Sequence, residues 1–193
     1  MKTLVIHPKD STTDFLQPVY ESIKNKKVIK SGTVEKVREE IEKHDRIIML
    51  GHGTPSGLMA VSQFMTSPYC VMTPPHKRSY SALYVIDRNT VPLLRNKECI
   101  FIWCNADKFV EEHDLKGLYS GMFISEIYEA TAYKIGTTQK EVDASNDLFA
   151  ETMGDVINKP LSDVYEHLMP RYGKLIETNP IAEFNYNRLY IKS

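Results

Sequence analysis

The chain has 193 residues, of which 42% are hydrophobic and 25% charged, with 24 Lys and Arg against 25 Asp and Glu. That length fits one domain of the usual ~100–200 residues. A net charge of -1 excludes the gathered basic excess of a dedicated nucleic-acid binder, and no apolar run approaches the ~20 residues that span a bilayer.

Residues 3–7 are a short aliphatic run closed by Pro8. The run is too brief for the ~7–15-residue apolar core of a signal peptide and reads as a strand. Phe15, Val19 and Ile23 recur at intervals of four, which predicts a helix over 13–25 with a ragged start at Pro18. Residues 27–30 form a weak second strand. Ser31-Gly32-Thr33 turns the chain, and Thr33 caps a helix carrying Val34, Val37 and Ile41 to near His44. Residues 46–51 are apolar on both faces, as in the middle of a parallel sheet. The β-α-β-α-β order predicts a parallel sheet covered by helices on both sides, with right-handed crossovers.

Residues 52–82 hold Pro55, Pro68, Pro74 and Pro75. They read as an excursion from the sheet with a hairpin around 59–72, and such excursions are usually functional. Residues 82–87 are a strand or part of that excursion, and 90–94 a helical turn. Residues 98–104 are the second strongly buried strand. Leu118, Met122, Phe123 and Ile127 predict a helix over 115–130, followed by a strand over 131–136. Residues 107–114 read as a solvated loop or a short helical turn. Amphipathic helices follow over 145–158 and 161–169, and 184–191 add an edge strand. The whole predicts one three-layer α/β/α sandwich over 1–193, with a mostly parallel sheet of about six strands. Flavodoxin-like and TIR-like domains share this alternation.

Two buried strands end in a reactive side chain: Ile47-Ile48-Met49-Leu50-Gly51-His52-Gly53 and Cys99-Ile100-Phe101-Ile102-Trp103-Cys104-Asn105. Ligands of open α/β sheets bind beyond the carboxyl ends of parallel strands. If the two strands are parallel neighbours, His52 and Cys104 meet at one rim. A free thiol of pKa ~8.5 is scarcely ionised at neutral pH, and an adjacent imidazole takes its proton or stabilises the thiolate. That pairing predicts faster alkylation of Cys104 than of a free thiol. Gly51 and Gly53 would let a substrate backbone approach His52, and their N–H groups, with that of Cys104, are candidate oxyanion donors.

The other candidates read more plainly. Cys70 and Cys99 fit core packing. Three cysteines in all suit reduced thiols of a cytoplasmic protein better than a disulfide framework. His7 reads as a satisfied edge histidine, and His44, His113 and His167 as surface residues. His76-Lys77-Arg78 is a short basic cluster suited to an anion. Cys104, Asp107, Glu111, Glu112 and His113 lack the spacing of a CxxC or HExxH site, so no metal and no cofactor are expected. The glycine-rich stretch 51–57 would suit a phosphate but lacks the P-loop Lys-Ser/Thr.

A His-Gly after one apolar strand, then a Cys 52 residues later after a second, resembles the caspase class of cysteine peptidases. That group includes gingipains, legumain, separase, metacaspases and bacterial CHAT-domain proteins. The resemblance covers residues 1–140 and rests on those two short motifs. It implies a caspase-like fold, with His52 as general base or proton donor and Cys104 as the nucleophile. The substrate would be a peptide or protein. Gly51, Gly53, Asn105 and Asp107 would surround the oxyanion or the substrate. Trp103 stands where the family usually has Ala or Gly, and Asn105-Ala106-Asp107 replaces a glycine-rich turn. Those departures support a second reading, a non-cleaving binding or signalling module of the same fold. A flavodoxin-like small-molecule-binding domain is a third.

Overall fold

A computed structural model describes residues 1–66 and 80–193. Cys70, Tyr69, the His76-Lys77-Arg78 cluster and the far end of the hairpin expected at 59–72 lie outside the described residues. The chain opens with β1 (Thr3–Ile6), a 3-10 turn (Ser11–Leu16), α1 (Pro18–Glu21), β2 (Lys26–Ile29), β3 (Gly32–Thr33), α2 (Val34–Glu42) and β4 (Arg46–Leu50). The excursion supplies β5 (Gly53–Thr54), β6 (Gly57–Met59), β7 (Phe64–Thr66), β8 (Tyr80–Ser81) and β9 (Tyr84–Ile86). Then come α3 (Val91–Leu94), β10 (Glu98–Ile102), α4 (Ala106–Glu112), β11 (Gly117–Ser120), α5 (Ile127–Ala132) and α6 (Gln139–Val156). The chain closes with α7 (Leu161–Tyr172), α8 (Pro180–Tyr186) and β12 (Leu189–Lys192).

The main sheet has six strands in the order β12-β11-β10-β4-β1-β2. All neighbours are parallel except β12, which runs antiparallel to β11. Each face of the sheet carries its own core. Leu4, Ile6, Ile47, Met49, Cys99, Phe101 and Trp103 pack with Val37 and Ile41 of α2 and Phe109 of α4. Val5, Ile48, Leu50, Ile100, Ile102 and Leu118 pack with Val19 of α1, Phe149 and Met153 of α6, and Leu168 of α7. Alternate residues of one strand thus serve opposite layers, as the period of two requires. This arrangement is the α/β/α layering expected from the sequence. Among the described residues no helix is long and apolar enough to cross a membrane.

Several elements differ from expectation. Residues 115–130 are not a helix. Gly117–Ser120 is a fully buried strand beside β10, and α5 starts at Ile127. A strand buried on both faces shows no alternation, so the spacing of Leu118, Met122 and Ile127 imitated a helix. Residues 131–136 hold the end of α5 and no strand. The expected helix over 13–25 divides into the 3-10 turn and α1, with Pro18 at its first turn. Of the two readings of 107–114, loop or short helical turn, the helical one holds, as the two-turn α4. Helix α6 begins earlier than expected, because Thr138 and Glu141 form a capping box.

Candidate functional site

The register of β4 and β10 sets the geometry. Leu50 lies opposite Ile102, so His52 and Cys104 each follow two residues beyond the last pair. Leu50 and Ile102 share one core, and beyond the strand ends His52 and Cys104 line a cleft with Leu16, Ile102 and Phe123 of that same core. One cleft is lined by Thr13, Phe15, Leu16, Gly51, His52, Ile102, Trp103, Cys104, Phe123 and Ser125. Its walls come from the segments that follow β1, β4, β10 and β11. From β1 the sheet continues to β2 on one side, and from the adjacent β4 it continues to β10 on the other, so the strand order reverses between β1 and β4. Crevices form at such reversals of strand order.

His52 is held by residues that sequence reasoning missed. Its Nε2 lies 2.6 Å from Thr12 Oγ1 and 3.8 Å from Asp10 Oδ2. The Thr12 hydroxyl donates to Asp10 Oδ1 at 2.8 Å. A hydroxyl has one proton to give, so Thr12 accepts from His52 Nε2–H. In the neutral ring, Nδ1 is then the basic nitrogen. The Asp10 carboxyl is held below the usual carboxylate range, first by the Thr12 backbone N–H. Asp10 also caps the 3-10 turn, accepting from Thr12 N at 3.0 Å, so one carboxylate anchors both the turn and the histidine.

Cys104 sits at the apex of a tight strand-to-helix turn. Asn105 adopts the left-handed conformation, φ 64°, which asparagine tolerates better than most residues. It bends the chain from β10 straight into α4. The Cys104 thiol donates to Phe123 O at 3.4 Å. Burial, aided by the Glu129 carboxylate, pushes its pKa up to about 11. The resting sulfur is therefore a neutral thiol, for which slow reaction with simple alkylators is expected in place of the fast alkylation that an imidazole-stabilised thiolate would give.

Two of the backbone N–H groups expected around the oxyanion are otherwise engaged. Gly51 N–H donates to Ile102 O at 3.1 Å, and Asn105 N–H donates to Gly121 O at 3.0 Å. Gly51 is a glycine for its φ of +139° at the bend leaving β4. Gly53 makes room for protein rather than substrate, since a Cβ there would lie 2.0 Å from Trp103 Cδ1. Asp107 is in α4 and outside the cleft lining. Its Oδ1 is buried without a hydrogen-bond partner, and its Oδ2 approaches Gly121. The stretch 51–57 runs into the β5–β6 hairpin and begins no helix, so it offers no helical phosphate cradle. Among the described residues no group of three or more His, Cys, Asp or Glu is placed to hold a metal ion.

His7 follows β1 at the same rim and is satisfied internally, as the sequence suggested. Its ring nitrogens lie 3.1 Å from Tyr20 Oη and 3.1 Å from the cleft residue Thr13 Oγ1. Burial first, then Lys30, lowers its pKa to about 4. The folded protein thus holds His7 neutral where the unfolded chain, titrating near 6.5, binds a proton. Stability is full above pH ~6.5 and declines as pH falls toward 4, by about 3 kcal/mol in all. Urea midpoints measured between pH 7 and 4.5 are expected to fall for the wild type and to flatten in His7→Gln. An equal slope in both proteins would show that another group governs this limb.

Comparison of the chain with protein-family models, with curated proteins and with solved structures found no match in any of the three.

Proposed function

We propose that this protein is a cysteine hydrolase of peptide bonds with a caspase-like fold, in which Cys104 is the nucleophile and His52 the base. The observation that carries this reading is the placement of both side chains at equivalent positions beyond adjacent parallel strands, lining one cleft. The Asp10–Thr12–His52 chain supports it, because it fixes the imidazole in a single tautomer and orientation.

The chemistry follows from the protonation states. His52 Nδ1 takes the Cys104 proton as sulfur attacks the carbonyl carbon, giving a tetrahedral oxyanion and an imidazolium. The Cys104 amide, which interacts with its own sulfur, is the donor assigned to that oxyanion. Collapse breaks the C–N bond, and the imidazolium proton goes to the departing amine. Water, deprotonated by His52, then cleaves the thioester and returns Cys104 to the thiol. Because the resting thiol is neutral, transfer to His52 must accompany attack. The dyad is therefore expected to answer carbonyl-like electrophiles bound in the cleft far better than small alkylators.

The test uses peptidyl acyloxymethyl ketones, with labelling mapped by mass spectrometry. Modification at Cys104 is expected, absent in Cys104→Ala and slowed at least ~100-fold in His52→Ala. Thr12→Val, which removes the contact to His52 and the hydrogen bond to Asp10, is expected to slow labelling about tenfold. Equal labelling of wild type and His52→Ala would overturn the mechanism. The buried, protonated thiol favours one second reading, a non-cleaving peptide-binding module. Peptide binding that survives Cys104→Ala, with no labelling of the wild type, would establish that reading instead.

A further inference from the structure

Resting on the hydrolase reading, we infer that the cleft beside Cys104 receives the side chain of the residue whose carbonyl is attacked, and that it admits a small, uncharged one: glycine, alanine, serine or cysteine. Phe15, Leu16, Ile102 and Phe123 supply the apolar lining, and apart from His52 and Cys104 no lining residue is ionisable. The Phe15 and Phe123 rings stack with centroids 6.5 Å apart and planes 12° from parallel. The cleft leaves about 20 Å³ to the centres of water-sized molecules, room for roughly one water. A methyl or hydroxymethyl group fits such a space.

A charged side chain does not suit this lining. An ammonium, guanidinium or carboxylate would lose hydration against four apolar side chains; the nearby carboxylates of Asp10 and Glu129 are outside the lining and already hydrogen-bonded to Thr12 and to Ser125 and Glu126, and burial of an unpaired charge is strongly unfavourable. Longer apolar side chains meet a wall that is pinned in place. Asn185 holds Ile124 through two hydrogen bonds of 2.8 Å, one in each direction. Asn146 Nδ2 donates to Ser125 O at 2.9 Å, and Glu129 Oε2 accepts from Ser125 N at 2.8 Å and Glu126 N at 3.1 Å. Asn185 is fully buried and Asn146 is 5% exposed. The segment that carries Phe123 is therefore clamped immediately beyond it, and Phe123 is itself 4% exposed. Phe15, partly exposed on the short turn after β1, is the wall that can be altered with least disturbance. Asp107 offers the contrasting possibility, a carboxylate one turn beyond Cys104 that would draw in Lys or Arg. Its absence from the cleft lining decides against it.

The experiment uses the full-length protein and a series of acyloxymethyl ketones identical except for the residue next to the warhead: Gly, Ala, Leu, Phe, Asp, Lys or Arg. Labelling rates at Cys104 are expected to be highest for Gly and Ala, at least ~10-fold above Leu and Phe and ~100-fold above Asp, Lys and Arg. Phe15→Ala is expected to raise the Leu-to-Ala rate ratio about tenfold. Phe15→Leu, a smaller change that keeps the wall apolar, is expected to move the ratio in the same direction by less. Fastest labelling by Lys or Arg would overturn the subsite and transfer the role to Asp107, while leaving the nucleophile in place. A ratio unmoved by both Phe15 variants would also overturn it. Failure of every probe to reach Cys104 would overturn the hydrolase reading, and this subsite with it.

Discussion

Arg46→Ala is expected to lower folding stability by about 3 kcal/mol, from the cavity a fully buried side chain leaves and the carbonyls it strands. Arg46 opens β4 and is 1% exposed. Its guanidinium bonds the Glu98 carboxylate at the start of β10 and the Ile157 carbonyl, and it donates to Lys159 O at 2.6 Å. Ile157 is the C-cap of α6, where terminal carbonyls lack helical donors and the helix dipole favours a cation. One side chain therefore ties two central strands to the end of the longest helix. Alanine would leave Glu98 and the carbonyls without this partner and open a cavity. Arg46→Lys keeps the charge but loses the planar fork and is expected to cost less. Arg46→Met with Glu98→Gln refills the cavity and removes the partnerless carboxylate, and is expected to recover part of the loss. The sole tryptophan, Trp103, reports unfolding in urea for all of these variants. A midpoint for Arg46→Ala within experimental error of wild type would sink this account.

The parts of the fold that the sequence disclosed are those in which burial leaves a compositional trace. Strands β1, β4 and β10 are largely apolar runs because helices cover both their faces, and if β4 and β10 run side by side in one direction, the sequence predicts one rim for His52 and Cys104. Strand β11 left no such trace. Gly117-Leu118-Tyr119-Ser120 is short, and its glycine is set by φ +143° and by close approach to Cys99 O, a constraint that exists only once β10 lies alongside. Asp10 and Thr12 were equally hidden. Both are ordinary polar loop residues, and what brings them to His52 is the pairing of β1 with β4, a choice of neighbour that periodicity does not reveal. The reading of Gly51 and Gly53 as room for substrate met a related ambiguity. A glycine announces freedom of approach without naming what approaches, and here sheet hydrogen bonds and an indole fill that role.

Gly53→Ala puts that last point to a test with a large expected effect. A Cβ at residue 53 would stand 2.0 Å from Trp103 Cδ1, 2.4 Å from Cγ and 2.8 Å from Gly57 O, so either the indole or the β5–β6 hairpin must move. The indole has little freedom. It is 1% exposed and meets Phe101 and Phe109 edge to face at centroid distances of 5.6 and 5.7 Å. Its Nε1–H donates to Thr54 O at 3.2 Å. Overpacking alone costs about 1–3 kcal/mol, and loss of the Thr54 bond strands a buried N–H at a further ~1–3 kcal/mol. A total near 3 kcal/mol is expected, with a red shift of tryptophan emission as the indole is displaced. Because Gly53 adjoins His52 and Trp103 adjoins Cys104, Cys104 labelling by the best ketone probe is expected to fall in parallel. Trp103→Phe in the Gly53→Ala background relieves the clash and is expected to restore part of the stability, giving the two sites a coupling energy of opposite sign to their separate costs. An unshifted emission maximum with an unchanged urea midpoint in Gly53→Ala would mean that the glycine does not serve the indole, and its place beside His52 would again be open to a substrate backbone.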